Sequence, residues 1–234
     1  MIFSVGDTNT LYQIDLKVNV LHLDSTIYYM NMKKEKDLMK KLADFVYETN
    51  IHSKTPRSGL WFLGSGSQSV AEHLFHTAMI AYTLCYLEPK ADKNKVVLMA
   101  LLHDIGEGRT SDHNYVHQRY GRLAEHEAVK DIANTLPFGN EILSLFEEEQ
   151  EKKTIEARLV KDADNLQWIV TLRNEEVKGN KKAISWIDIA YKRLKTDAGK
   201  RLGKKLLETN PDSWWFDAGD KWFVDRNKED KGWK

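Results

Sequence analysis

Four side chains from three separate segments have the types and settings of a metal site. The apolar run VVLMALL closes on Leu101-Leu102-His103-Asp104. Burying an imidazole and a carboxylate at the end of such a helix is costly unless something compensates both groups. A divalent metal would do so, since neutral His nitrogen and carboxylate oxygen are both ligands. Alone, the dipeptide is also readable as a mutually bonded pair or a helix cap. His73, in SVAEHLF, lies beside an apolar stripe of Val70, Leu74 and Thr77. Asp164, in IEARLVKDADNLQ, lies on a helix whose expected buried positions include Ile155, Leu159, Ala163 and Leu166. Singly, each could be a satisfied polar residue at the margin of a core. Together they supply two nitrogen and two oxygen ligands and leave coordination positions for water and substrate.

Helices must carry these residues. Apolar positions at helical spacing predict helices from Met32 to about residue 50, over Ser69–Glu88 and over Asp92–Ile105, the last apolar all round and therefore central. Further helices are expected near 120–135, 139–149, 153–173, 181–197 and 199–208. Residues 50–68, with Pro56 and three glycines, read as a loop, and 106–119 as polar and irregular. Residues 11–23 (LYQIDLKVNVLHL) alternate with Ile14, Leu16, Val18 and Val20 on one face, which is a strand period. The expected organisation is an N-terminal arm over 1–31 with a short β element, an all-α domain over 32–210, and a tail over 211–234. That tail carries Trp214, Trp215, Trp222 and Trp233, and is expected to pack on the domain.

Composition narrows the setting. Thirty-five Lys+Arg balance 35 Asp+Glu, so there is no global attraction to nucleic acid or to an anionic membrane. A single Cys among 234 residues excludes an internal disulfide framework and points to a reducing compartment. No apolar run reaches the length of a signal or a membrane span. Cytoplasm is the expected location. Residues 178–205 are strongly basic, which reads as a solvated face or as an attraction for a phosphorylated substrate.

The strings S-V-A-E-H, L-L-H-D-I-G-E with a further Asp eight residues after the first, and E-A-R-L-V-K-D-A-D-N-L resemble the HD-domain metal-dependent phosphohydrolases. More narrowly, they resemble the small HD proteins that act as 5′-deoxynucleotidases. The likeness runs from about Arg57 to Gln167. It implies an all-α helical bundle with one divalent ion at its centre (Mn, Co, Fe, Zn, Ni or Mg), held by His73, His103, Asp104 and Asp164. It implies catalytic carboxylates at Glu107 and Asp112, a phosphate-binding Arg57, and acidic positions at Glu125 and Glu149 without an assigned role. The sequence departs from the pattern in two places. Ser111 stands where a glycine is usual before Asp112. The usual Arg-x-Gly-Trp appears as Arg57-Ser58-Gly59-Leu60, so that the tryptophan expected at the substrate falls one residue later, at Trp61.

The expected reaction is removal of phosphate from a small phosphorylated substrate, a (deoxy)nucleoside 5′-monophosphate. In it, Arg57 pairs with the phosphate, and Glu107 and Asp112 divide the proton transfers in an order the residues leave open. The alternatives are a phosphodiesterase or triphosphohydrolase on the same ligands, and a non-catalytic nucleotide-binding protein. Neither nucleic acid nor membrane is an expected partner, and a homodimer is left open. The loop Gly64-Ser65-Gly66-Ser67 lacks P-loop spacing and reads as a lid or connector. Of the other histidines, His113, His117 and His126 read as surface residues, and His22 and His52 have no supporting context.

Overall fold

A computed structural model describes the backbone of residues 8–223 and the side chains of residues 27–223. It is built from helices, with no sheet among the described residues: α1 (Thr8–Thr49), a 3-10 turn (Asn50–Ser53), α2 (Leu60–Leu63), α3 (Val70–Leu87), α4 (Lys93–Leu102), α5 (Glu107–Thr110), α6 (Tyr115–Tyr120), α7 (Glu125–Thr135), α8 (Gly139–Glu151), α9 (Ile155–Val177), α10 (Lys182–Lys192) and α11 (Asp197–Glu208). The expected β arm is not formed. Residues 11–23 belong to α1, which runs through Met32 without a break. No glycine or proline interrupts the chain between Thr8 and Thr49, so nothing stops the helix from continuing through the alternating segment. His22 lies outside the residues whose side chains are described, and Trp233 lies outside the described residues altogether.

The central rod is α9, packed against α3, α4, α8, α10 and α11. Its Leu159, Val160, Ala163, Leu166 and Ile169 are fully buried against Ala81 and Leu84 of α3 and Val96 and Met99 of α4. Burying a side chain of that size contributes about 1.5–3 kcal/mol. A second cluster joins Ile105, Val129, Ile132 and Phe146, with Leu42 and Phe45 of α1 packed on it. The run VVLMALL is not buried all round. Val96, Met99 and Ala100 face the core, whereas Leu98 and Leu101 are exposed, because α3 and α9 cover only one side of α4.

Helix ends are set by side chains that satisfy the first free N–H groups. Ser69 starts α3 with a reciprocal capping box. Its hydroxyl accepts from the Glu72 amide at 3.2 Å, and its own amide donates to Glu72 Oε2 at 2.6 Å. Asp92, Asn114, Thr154 and Thr196 cap α4, α6, α9 and α11. The rings of Trp215, Phe216, Trp222 and Phe223 touch one another at the C-terminal end, and Trp214 stands exposed.

One fully buried carboxylate ties the last helices to the rod. Asp162 accepts from the Lys195 amide at 2.8 Å, and from the Thr196 amide and hydroxyl at 2.7 Å each. These bonds hold the turn between α10 and α11 on α9. Gly199 packs so tightly there that a Cβ would lie 2.4 Å from Asp162 Oδ2. An amide at this position would turn an NH2 group toward N–H donors. Asp162→Asn is expected to lower stability by about 2–4 kcal/mol, read as a melting temperature lowered by about 5–15 °C.

Candidate metal centre and active site

The three ligand-bearing segments meet on one side of α9. His73 sits one turn into α3. His103 and Asp104 follow the end of α4, in the turn before α5, and Asp164 lies on α9. His73 Nε2 lies 3.4 Å from His103 Nε2, 3.4 Å from Asp104 Oδ2 and 3.5 Å from Asp164 Oδ1. His103 Nε2 lies 3.3 Å from Asp104 Oδ2. Ligands about 2.1 Å from one ion are separated by about 3.4 Å in a tetrahedron and about 3.0 Å at an octahedral edge. The ligand atoms of His73, His103 and Asp164 all lie within 4.8 Å of one another, a spacing that fits a single ion, and Asp104 adds a carboxylate oxygen beside both imidazoles.

Hydrogen bonds behind the imidazoles aim them. His103 Nδ1–H donates to the Ala100 carbonyl at 2.8 Å, leaving Nε2 as the lone-pair nitrogen. His73 Nδ1–H donates to Gln167 Oε1 at 2.7 Å, and the Gln167 amide is oriented in turn by donating to Thr171 Oγ1 at 3.0 Å. Both tautomers so selected present Nε2 to the same point. Gln167 is fully buried and 94 residues from His73, and sequence reasoning missed it.

The charge balance also calls for a cation. Four carboxyl groups, Asp104, Glu107, Asp112 and Asp164, face only two cationic side chains, Arg57 and Lys161, so carboxyls outnumber cations in this half-buried place. Burial pushes the Asp104 carboxyl up, but His103, His73 and Arg57 outweigh it and hold it well below the usual range. Asp164 is likewise raised by burial and held low on balance, chiefly by Lys161, whose Nζ donates to its Oδ2 at 2.7 Å. Glu107 has no such surplus of positive charge. Burial and the nearby Asp104 push it up to about 10. Burial, then Asp104, raises Glu125 to about 7, and burial also raises Glu149. A divalent ion at the His-Asp quartet relieves this repulsion, and the residues present fit one.

Arg57 stands at the centre of the acidic groups. Its Nη1 lies 3.2 Å from Asp104 and 3.7 Å from Glu107, and its Nε lies 3.6 Å from Asp112. The segment that carries it is pinned to the start of α3 by Arg57 N–H to the Gln68 carbonyl and Val70 N–H to the Thr55 carbonyl. Asp112 is fixed by the neighbouring residue: Ser58 N–H donates to its Oδ2 and Ser58 Oγ–H to its carbonyl, both at 2.8 Å. A cavity of about 420 Å³ opens over Arg57, Asp104, Glu107, Asp112 and Asp164, and is also lined by His113, Lys161, Asn165 and Trp168.

Trp61 is not brought to this cavity. Leu60 and Leu63, three apart on the single turn of α2, take the buried face, so Trp61 is turned outward, 59 % exposed, with its ring edge on His117. The aromatic side chains that do line the cavity are Trp168, one turn beyond Asp164 on α9, and Tyr115, at the start of α6. The loop Gly64–Ser67 is tied down by Asn180, which donates to the Leu63 carbonyl and to Ser65 Oγ, and it contributes nothing to the cavity lining. His52, which lacked any context in the sequence, is buried, with its ring nitrogens 2.9 and 3.0 Å from the Thr49 and Ile105 carbonyls.

Ser111 has φ 66° and ψ 158°, a region open essentially to glycine alone. That is the physical reason a glycine is the usual residue before Asp112.

Helices packed around a buried set of histidines and aspartates define the class of the protein, and residues 53–205 match the family model described as HD domain. The chain belongs to the HD-domain family. It is 35 % identical over 114 residues to 5′-deoxynucleotidase HDDC2 of Dictyostelium discoideum, covering 44 % of this chain and 60 % of that one. It is 29 % identical to 5′-deoxynucleotidase HDDC2 of Danio rerio, over 60 % of this chain and 73 % of the relative. The stretch matched thus spans less than two thirds of the Dictyostelium protein. Among solved structures, a conserved hypothetical protein from Pyrococcus furiosus superposes with a TM-score of 0.64 and 28 % identity, covering 71 % of this chain and 99 % of that one. A predicted metal-dependent phosphohydrolase from Magnetospirillum magnetotacticum, 22 % identical with a TM-score of 0.60 over 74 % of this chain and 93 % of that one, shares the fold.

Two outcomes follow from the site. Gln167→Leu is expected to weaken metal affinity about 10–100-fold, measured by competition with a chelator, while the chain stays folded. Ser111→Gly is expected to relieve backbone strain and raise stability by about 1 kcal/mol, net of glycine's greater freedom in the unfolded chain. The readout is a melting temperature higher by about 2–4 °C for a chain of this size.

Proposed function

We propose that the chain is a metal-dependent phosphomonoesterase acting on (deoxy)nucleoside 5′-monophosphates. The observation that carries this reading is the convergence of His73, His103, Asp104 and Asp164 at metal-ligand spacing beside Arg57 and two further carboxylates in one open cavity. Its support from relatives is the name 5′-deoxynucleotidase carried by those it matches in Dictyostelium and zebrafish.

In this reading His73, His103, Asp104 and Asp164 would hold one divalent ion, which would supply Lewis-acid charge and an activated water near neutral pH. Arg57 exchanges its carboxylate partners for the phosphate and offsets charge as the P–O bond breaks. Asp112, with its orientation fixed by Ser58, positions the attacking water. Glu107 Oε2 is buried and without a hydrogen-bond partner, so that carboxyl group is free to move a proton at the leaving 5′-oxygen. Lys161 keeps Asp164 ionised and oriented. No helix among the described residues is long and apolar enough to cross a membrane. A cytoplasmic location remains part of the reading.

The test is metal analysis of the purified chain, followed by a panel of nucleoside mono- and triphosphates and a phosphodiester with each divalent ion added. Free phosphate is the expected product. Pyrophosphate or triphosphate would move the reading to a triphosphohydrolase, and release from a diester to a phosphodiesterase. Asp104→Ala is expected to lose both the ion and turnover, and wild-type turnover by a metal-free Asp104→Ala protein would refute the mechanism. Glu107→Gln is expected to keep the ion and lower kcat about 10²–10⁴-fold.

A further inference from the structure

Beside the catalytic cavity lies a recess of about 270 Å³, lined by Tyr115, Trp168, Trp186, Ile189, Ala190 and Arg193. Tyr115, Trp168 and Arg193 line both spaces, so the recess adjoins the cavity. Their chemistry differs sharply. The cavity is walled by carboxylates, Arg57 and Lys161, whereas the recess offers aromatic and aliphatic surface with one guanidinium at its edge.

Three elements build it. On α9, Trp168 stands four residues after Asp164 and shares its face of the helix, about 6 Å farther along the axis. On α10, Trp186, Ile189, Ala190 and Arg193 recur at helical spacing, and Trp186 backs Trp168 with ring centroids 6.2 Å apart. At the start of α6, Tyr115 is held across the opening by Arg193, whose Nη1 donates to the Tyr115 hydroxyl at 2.7 Å and whose guanidinium lies 5.4 Å from the centre of that ring.

We propose that this recess receives the planar base of the substrate, with Trp168 as the stacking face and Tyr115, latched by Arg193, as the outer wall. The inference rests on the monophosphatase reading for its substrate. In a nucleoside monophosphate, a pentose separates the phosphate from the base by a span comparable to the helical turn between Asp164 and Trp168. A phosphate at Arg57 therefore places the base at the aromatic wall. Apart from the edge guanidinium, the recess presents ring faces and alkyl groups, and the Tyr115 hydroxyl is already engaged by Arg193. Such a surface selects for the presence of a base by stacking, which tolerates any of the bases. It also explains why a tryptophan displaced to the outside at Trp61 leaves the site with an aromatic platform, supplied from α9 instead.

The experiment compares two substrates on the metal-loaded chain: deoxyadenosine 5′-monophosphate, and 2-deoxyribose 5-phosphate, which lacks a base. Stacking on an aromatic side chain is worth about 1–3 kcal/mol per base. Trp168→Ala is therefore expected to lower the ratio of kcat/KM for the nucleotide over that for the sugar phosphate by about 5–100-fold, and Trp168→Phe to restore most of it. Ile189 is half exposed and borders only the recess, so Ile189→Glu tests the same wall without removing a packed ring. It is expected to lower the ratio in the same direction. An unchanged ratio in both Trp168→Ala and Ile189→Glu overturns the proposal. Should the wild-type chain hydrolyse neither compound, the monophosphatase reading fails by itself. Calorimetric titration of the same metal-loaded chain with deoxyadenosine 5′-monophosphate then decides the recess: affinity weakened in Trp168→Ala and Ile189→Glu supports it, and equal affinity overturns it.

Discussion

Charge that must be compensated inside a helical bundle is the constraint on which the rest of this structure depends. Four carboxyl groups and two imidazoles converge where water is scarce, and all but Glu107 have a hydrogen-bond partner. Lys161 faces Asp164, Arg57 faces Asp104 and Asp112, and backbone or amide oxygens take the outer nitrogens of both histidines. What these partners do not cover is a net negative charge at the point where the two Nε2 atoms meet. A protein built for stability alone would fill that space with apolar side chains, since removing paired charges from a core is often neutral or stabilising. Its retention is the mark of chemistry.

The helices serve this arrangement by division of labour. Residues 161, 164, 165 and 168 form one stripe of α9 that faces the cavity, while Leu159, Ala163 and Leu166 face the core. Only a helix held from several sides keeps such a stripe in register, and α9 is packed by five others. The turn carrying Asp104 is fixed from a different direction, by the buried His52 against the Ile105 carbonyl. The segment carrying Arg57 is fixed to the N-terminus of α3. Rigid supports of this kind keep catalytic groups within a few tenths of an ångström of one another, and turnover is sensitive to displacements of that order.

Much of this was readable in the residues, for a physical reason. Imidazoles and carboxylates at the edge of apolar helical stripes are costly to bury without a compensating ion or partner, so the quartet and Arg57 stand out in the chain itself. The helices of the bundle were legible from period and caps, with Ser69 and Thr154 falling where expected helices begin. Other features were not legible. Alternation over residues 11–23 is a strand period, but the absence of any breaker from Thr8 to Thr49 lets the helix prevail, and period alone does not weigh the two. Trp61 lies close to Arg57 in sequence and points away in space, because Leu60 and Leu63 claim the inward face. Trp168 was accessible in principle, since four residues after a ligand on a helix is the same face. Gln167 had no local signal at all, its partner being on another helix far along the chain.

Asp162 and Asp164 are separated by one residue and by more than half a turn of helix, so they project to opposite sides of α9. One anchors the turn between α10 and α11; the other faces His73. The two tasks are thereby coupled mechanically through a single rod. A loosening of the distant turn, by local opening or by a cut in its backbone, reaches the ligand shell as a change in the register of α9. An ion held as proposed would then leave at a rate set partly by a part of the chain that never touches it, and its exchange would gauge how firmly the last two helices are seated.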